Sequence, residues 1–243
     1  MCRMQEHVCL IVPCYNEARR LDFDQFEAAA RRDPLWLVFV DDGSADGTAD
    51  VVRAHASDRI WLIVLDRNVG KAEAVRQGML QAEALPFYAQ LDWIGFWDAD
   101  LATPLEELPY FLAFPAFCGV DADAVIGSRL MRLGSRVRRR AIRHVFGRAF
   151  ATVASLLLGV HAYDSQCGAK IFRPAAAARV FAEPFATRWV FDLEVLIRLG
   201  GALVIEYPVM AWSDVGGSKL RLLPNIWRTA RDLVRLRLKY RPR

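Results

Sequence analysis

Asp98-Ala99-Asp100 sets two carboxylates two residues apart, directly after the apolar run Trp93 to Trp97. If the chain turns there, both face one divalent cation. Hard oxygen ligands suit Mg²⁺ or Mn²⁺, ions that the phosphates of a nucleotide also hold. Phe96, Trp97 and Leu101 make the neighbourhood apolar, where paired carboxylates repel and shift in pKa unless a cation neutralises them. The plain alternative is a pair of turn acids. Two other apolar runs end in the same way. Val8 to Val12 leads into Pro13-Cys14-Tyr15-Asn16-Glu17, and Trp36 to Val40 leads into Asp41-Asp42-Gly43-Ser44. Singly, Asp42-Gly43 reads as a turn, Glu17 as a solvated loop residue and Ser44 as a helix cap. Together they read as one site.

The elements that must position these residues follow from periodicity. Val8 to Val12, Trp36 to Val40, Ile60 to Leu65, Trp93 to Trp97 and Ala124 to Ile126 read as buried strands. Between them Phe23 to Arg32, Ala45 to His55, Lys71 to Leu85 and Leu105 to Phe114 read as helices. Ser44 and Asp46 can cap one of these, and Thr103-Pro104 opens another. Such alternation predicts an α/β fold, a Rossmann-like, mostly parallel sheet with helices on both faces, in which ligands sit outside the carboxyl ends of the strands. Neither a P-loop nor a G-x-G-x-x-G fingerprint occurs, which disfavours P-loop NTPases and dinucleotide dehydrogenases.

Composition adds a division of charge. The 243 residues hold 32 Lys and Arg against 28 Asp and Glu, a net charge of +4, and are 54% apolar. Arg129 to Arg148 and Lys219 to Arg243 contain eight and nine basic residues with one acid, Asp232, so they carry +16; the remainder carries −12. Arg136, Arg138, Arg139, Arg140 and Arg143 precede an apolar stretch through Leu157, making 129–160 a basic amphipathic segment. The C-terminus repeats the design over 219–243. Such segments can lie in a headgroup layer without spanning it. Solvated helices packed on the domain are the alternative. No uncharged apolar run is long enough for a conventional transmembrane helix, and Val8 to Val12 is too short for a signal peptide core. Five scattered cysteines without a Cys-x-x-Cys pair argue against a disulfide framework and a structural zinc site. An intracellular protein is expected.

The ordered set Val12-Pro13-Cys14-Tyr15-Asn16-Glu17, Asp41-Asp42-Gly43-Ser44 with Asp46-Gly47-Thr48, Asn68-Val69-Gly70-Lys71, Asp98-Ala99-Asp100 and Gly127-Ser128-Arg129 resembles family 2 glycosyltransferases of the GT-A fold. Asp164 to Lys170, Trp189 to Glu194, and Trp212 followed by Gly217-Ser218-Lys219 look like the dolichyl-phosphate glucosyltransferase branch of the polyprenyl-phosphate enzymes. The resemblance implies a catalytic domain over 1–218 followed by a basic amphipathic helix over 219–243. It implies that Pro13, Tyr15, Glu17, Asp41, Asp42, Lys71, Asp98, Ala99 and Asp100 bind a nucleotide-sugar. Asp98 and Asp100 would handle metal and pyrophosphate, and Arg129 would reach phosphate on donor or acceptor. Arg138, Arg139, Arg140 and Lys219 would serve the acceptor phosphate. Mannosyltransferase-like members carry a Gln where this chain has Ala102, a departure that favours the glucosyltransferase-like branch and leaves a third protein ligand open.

The implied reaction is an inverting, metal-dependent transfer of a hexose, glucose from UDP-glucose, to a polyprenyl phosphate on the cytoplasmic face of a membrane. A lipid phosphate is already anionic near neutral pH, its second pKa being about 6, so no strong base is required. For a hydroxyl acceptor on a polysaccharide or glycolipid, a carboxylate would have to take the proton, and Asp192 is the candidate. Its alternatives are an orienting residue or a plain acid in the first turn of a helix from Asp192 to Leu199. A nucleic acid would also meet the basic segments, but no nucleic-acid-binding motif occurs and the acidic edge would go unexplained. The expected partners are therefore the nucleotide-sugar, the polyprenyl phosphate and an anionic membrane surface.

Overall fold

The computed structural model describes residues 6–32, 34–138, 141–213 and 222–240. The first half alternates as its periodicity predicts: β1 (Val8–Cys14), α1 (Phe23–Arg32), β2 (Leu35–Asp41), α2 (Thr48–Ala54), β3 (Ile60–Val64), α3 (Lys71–Ala82), β4 (Trp93–Trp97), α4 (Leu108–Cys118) and β5 (Ala124–Ser128). The second half adds β6 (Arg136–Arg138), α5 (Ala141–Leu158), β7 (Ala169–Phe172), α6 (Pro174–Phe181), α7 (Phe191–Leu199), β8 (Val204–Pro208), β9 (Ala211–Ser213) and α8 (Leu222–Tyr240). Seven strands form one sheet in the order β3-β2-β1-β4-β7-β5-β8, and β6 pairs with β9 apart from it. Every pairing in the large sheet is parallel except those of β7, which runs against both β4 and β5.

Two-sided burial explains why the parallel strands read as continuous apolar runs. Along β1, Val8, Leu10 and Val12 face one core with Phe26 of α1 and Phe111 of α4. Cys9 and Ile11 face the other, with Val75 of α3, Val180 of α6 and Val195 of α7. A third cluster joins Ala154 and Leu158 of α5 to Val190, to Leu193 of α7 and to Leu233 and Leu236 of α8. Among the described residues no helix is long and apolar enough to cross a membrane.

Several local expectations change. The second helix starts at Thr48, not Ala45, and Gly47 precedes it in the left-handed region (φ 89). Ser44 does not cap it, because its Oγ accepts the Asn16 amide instead. The third helix ends at Ala82, where the amides of Ala84 and Leu85 turn to carbonyls three residues back, a tightening common at helix ends. Finally, the fourth begins with a 3-10 turn over Leu105–Glu107 before α4 proper. The predicted boundary at 218–219 lies outside the described residues.

α3 lies close against the sheet at Gly78, where a Cβ would overlap the Cγ2 methyls of Ile11 and Val40. Helix propensity alone makes Gly78→Ala stabilising by about 1 kcal/mol. Overpacking against two rigid β-branched chains costs about 1–3 kcal/mol, so the net effect is destabilisation. A urea or thermal unfolding midpoint below that of the parent checks it.

Candidate active site

The C-terminal ends of β1, β2 and β4 open onto a cleft of roughly 250 Å³. It is lined by Pro13, Tyr15, Glu17, Asp42, Lys71, Asp98, Ala99 and Asp100, with Cys14 and Ala74. Eight of the nine residues assigned to a nucleotide-sugar thus line this cleft. The ninth, Asp41, is buried at the end of β2, paired in register with Cys14.

Reciprocal bonds between the first two strand ends hold the cleft. Asn16, at φ 55, donates its amide to Ser44 Oγ at 2.9 Å and accepts from the Ala45 amide at 3.0 Å. The Glu17 amide donates to Thr48 Oγ1 at 2.9 Å. Asp42 carries this frame to the third element by accepting the amides of Val69 (2.7 Å) and Gly70 (2.8 Å). That fixes the start of α3, so Lys71 projects across the cleft to donate to Asp98 Oδ1. Beyond Asp100, Leu101 adopts φ 49, a left-handed conformation that costs a branched residue about 1–3 kcal/mol. The turn is held because the Leu101 amide bonds Asp98 O and the Ala102 amide bonds Asp100 Oδ1.

The charge balance is strained in one direction. Burial raises Asp100, and the charge of Asp98 raises it further. Burial raises Glu17 as well, against the pull of Arg20 and with Asp100, Asp46 and Asp98 adding to it. Asp42 is raised by burial in spite of its two amide donors. Burial works against the Lys71 ammonium, yet Asp98 and Asp192 outweigh it and hold its pKa above the usual value. Among the described residues, two buried carboxylate oxygens, Glu17 Oε2 and Asp41 Oδ1, have no hydrogen-bond partner.

Two ion pairs flank the cleft. Arg129 does not project freely: its Nε and Nη2 clasp Asp164 at 2.5 and 2.7 Å. Glu206 in turn fixes Asp164 by accepting the amides of Tyr163 and Asp164. Lys170, fully buried in β7, donates to Asp192 Oδ1 at 2.6 Å and to Cys167 O at 2.5 Å. Gly168 sits against Asp98, whose carboxylate a Cβ there would overlap. Sequence reasoning did not assign roles to Asp164, Gly168 or Lys170, although all three fall in the Asp164 to Lys170 motif. Their partners lie 35, 70 and 22 residues away, beyond any local signal. Arg138 contributes backbone to β6, while Arg139, Arg140 and Lys219 lie outside the described residues.

Comparison with known proteins places this geometry in a family. Residues 9–181 match the glycosyl transferase family 2 description. A dolichyl-phosphate beta-glucosyltransferase of Trichomonas vaginalis is 31% identical over 97% of this chain and 72% of its own. The human dolichyl-phosphate beta-glucosyltransferase is 28% identical over 97% of this chain and 76% of its own. In fold, the chain is similar to GT-A glycosyltransferases such as glucosyl-3-phosphoglycerate synthase of Mycobacterium tuberculosis in complex with uridine diphosphate. That likeness has a TM-score of 0.63 and 17% identity, over 97% of this chain and 80% of that one. The same synthase has also been crystallised with Mn²⁺ and UDP-glucose. The chain belongs to glycosyl transferase family 2, and it is a hexosyltransferase of GT-A fold.

Glu17 gives a pH-dependent test. Its folded pKa is raised, so its charge destabilises the ligand-free fold above that pKa, and the penalty disappears as pH falls through it toward the unfolded value. Glu17→Gln therefore raises the thermal midpoint at about pH 7.5, and the gain vanishes by about pH 4. Midpoints of both proteins across that range check the sign.

Proposed function

We propose that this glycosyltransferase moves glucose from UDP-glucose to a polyprenyl phosphate, with inversion, at the cytoplasmic face of a membrane. The observation that carries the reading is the cleft itself, where Asp98 and Asp100 converge beside Lys71 and, among the described residues, the buried Glu17 Oε2 lacks a donor. The hydroxyls and base N–H groups of a nucleoside are donors of the kind that Glu17 Oε2 needs.

The residues present fit a divalent cation. Asp98 and Asp100 offer hard oxygens, and the upward push on Asp100 is the mismatch that a cation relieves. Asp98 and Asp100 would hold it; among the described residues no group of three or more His, Cys, Asp or Glu forms a metal cage. When bound, Mg²⁺ or Mn²⁺ supplies Lewis-acid stabilisation of the leaving diphosphate. Lys71 adds a positive charge at the same edge. The acceptor phosphate arrives ionised, so Asp192, with Oδ1 committed to Lys170, orients the reactants rather than taking a proton.

α8 supplies the membrane side. It buries Asp232, Leu233 and Leu236, and it exposes Trp227, Arg231, Val234 and Leu238, four positions on one helical stripe. Arg228, Arg235 and Arg237 are exposed as well, and each basic residue near an anionic leaflet contributes about 1 kcal/mol.

Incubation with a panel of UDP- and GDP-sugars and a short polyprenyl phosphate, followed by mass, tests the reading. UDP-glucose is the expected donor, and transfer only to a free sugar or peptide rejects it. Asp100→Asn leaves the far-ultraviolet circular dichroism unchanged and lowers metal-dependent transfer by about 10²-fold or more. Full retained activity rejects its role. Changing Arg138, Arg139 and Arg140 together to Gln weakens acceptor use more than donor binding, whereas equal losses count against an acceptor-side role.

A further inference from the structure

Glu194 lies on α7 two residues beyond Asp192, and its side chain is fully buried. Four donors converge on it: the Ala186 amide (2.8 Å), Arg198 Nη2 (2.8 Å), Tyr240 Oη (2.7 Å) and Lys239 Nζ (3.1 Å). Burial alone would push this carboxyl up, but the bonds from Tyr240, Arg198 and Lys239 overcome it and hold the group ionised. Arg198 extends the cluster to the carbonyls of Val180, Glu183 and Pro184, and its Nε donates to Tyr240 Oη. The tyrosine hydroxyl thus bridges the carboxylate and the guanidinium. One polar centre thereby joins the last turn of α8, the body of α7 and the chain between α6 and α7.

The same elements meet through apolar contact. Val190 and Leu193, which bracket Phe191 and Asp192, pack in one cluster with Leu233 and Leu236 of α8. Lys170 grips the Asp192 carboxylate from the sheet side. The turn carrying Asp192 is therefore clamped between β7 and α8. Both partners of Glu194 from α8 are at its extreme end, while the stripe of exposed apolar side chains lies on its outer face.

We propose that Tyr240, acting through Glu194, is a positioning residue for the Asp192 turn, so that the last turn of α8 completes the site. This rests on the role given to Asp192 under Proposed function. The hydroxyl's loss leaves a buried carboxylate and a guanidinium each short of one partner, and the segment 183–193 loses part of its restraint.

Tyr240→Phe removes that hydroxyl and little else. In amide hydrogen exchange of the full chain, which needs no substrate, residues 183–193 exchange roughly tenfold faster while β1 and β4 are unchanged. Unchanged exchange at 183–193 overturns the proposal. In transfer from UDP-glucose to a short polyprenyl phosphate, kcat falls roughly tenfold while the KM for UDP-glucose stays the same. A loss confined to KM, or none, also overturns it. Placed in an Asp192→Asn background, Tyr240→Phe produces no further fall in kcat; additive losses would mean that it acts elsewhere. Full transfer by Asp192→Asn alone removes the role of Asp192, yet the exchange measurement still decides whether α8 restrains this turn.

Discussion

Carboxylates kept close together in a partly buried cleft are the constraint on which this structure turns. Like charge and burial both drive such groups toward protonation, and Asp100, Glu17 and Asp42 all respond in that direction. The fold counters with cations at fixed places: Lys71 on Asp98, Lys170 on Asp192 and Arg129 on Asp164. Each cation comes from a different element, namely the head of α3, the middle of β7 and the end of β5. The strand order that brings these elements together is thus also what sets a cation beside each of these acids.

The three pairs differ in environment, and hence in what they can do. Lys170 is completely enclosed, and breaking one partner of such a pair strands a charge at a cost of about 3–5 kcal/mol. It behaves as architecture. Lys71 and Asp98 are each more than a third exposed, so solvent screens their attraction and a stronger cation or a phosphate can displace either partner. One edge therefore combines a rigid pair with an exchangeable one. Rigidity around Asp192 and exchange around Asp98 suit a site that must admit a charged ligand without losing its shape.

The amino-acid sequence made the first half of this arrangement legible because its interactions are local or periodic. Continuous apolar runs ending in acids marked β1, β2 and β4 and the edge where they stop, and Lys71 appeared at the head of a helix. What stayed hidden was set by pairing at a distance. β7 is four residues long and contains a lysine, so no periodicity announced it. Lys170 reads as a surface residue until β4 and β5 close on either side and Asp192 meets it. Ser44 was misread because its hydroxyl serves a neighbouring strand end, not its own helix. The clasp of Asp164 on Arg129 stayed hidden because the two are 35 residues apart.

β7 is the strand of the large sheet that runs against its neighbours. Its first residue therefore stands at the edge where β4 and β5 finish, and the chain arrives at the site there instead of leaving it. Residues 13–17, 41–44 and 98–100 reach that edge going outward, whereas 164–168 come in from the opposite direction. In a protein made from its N-terminus onward, the cleft between β1, β2 and β4 has its whole complement of residues long before the flanking pairs have theirs. Until Gly168 closes on Asp98, the downstream side of that carboxylate has no wall. Vectorial synthesis thus separates the birth of the cleft from the birth of its flanks, with the antiparallel strand as the late piece that locks one to the other.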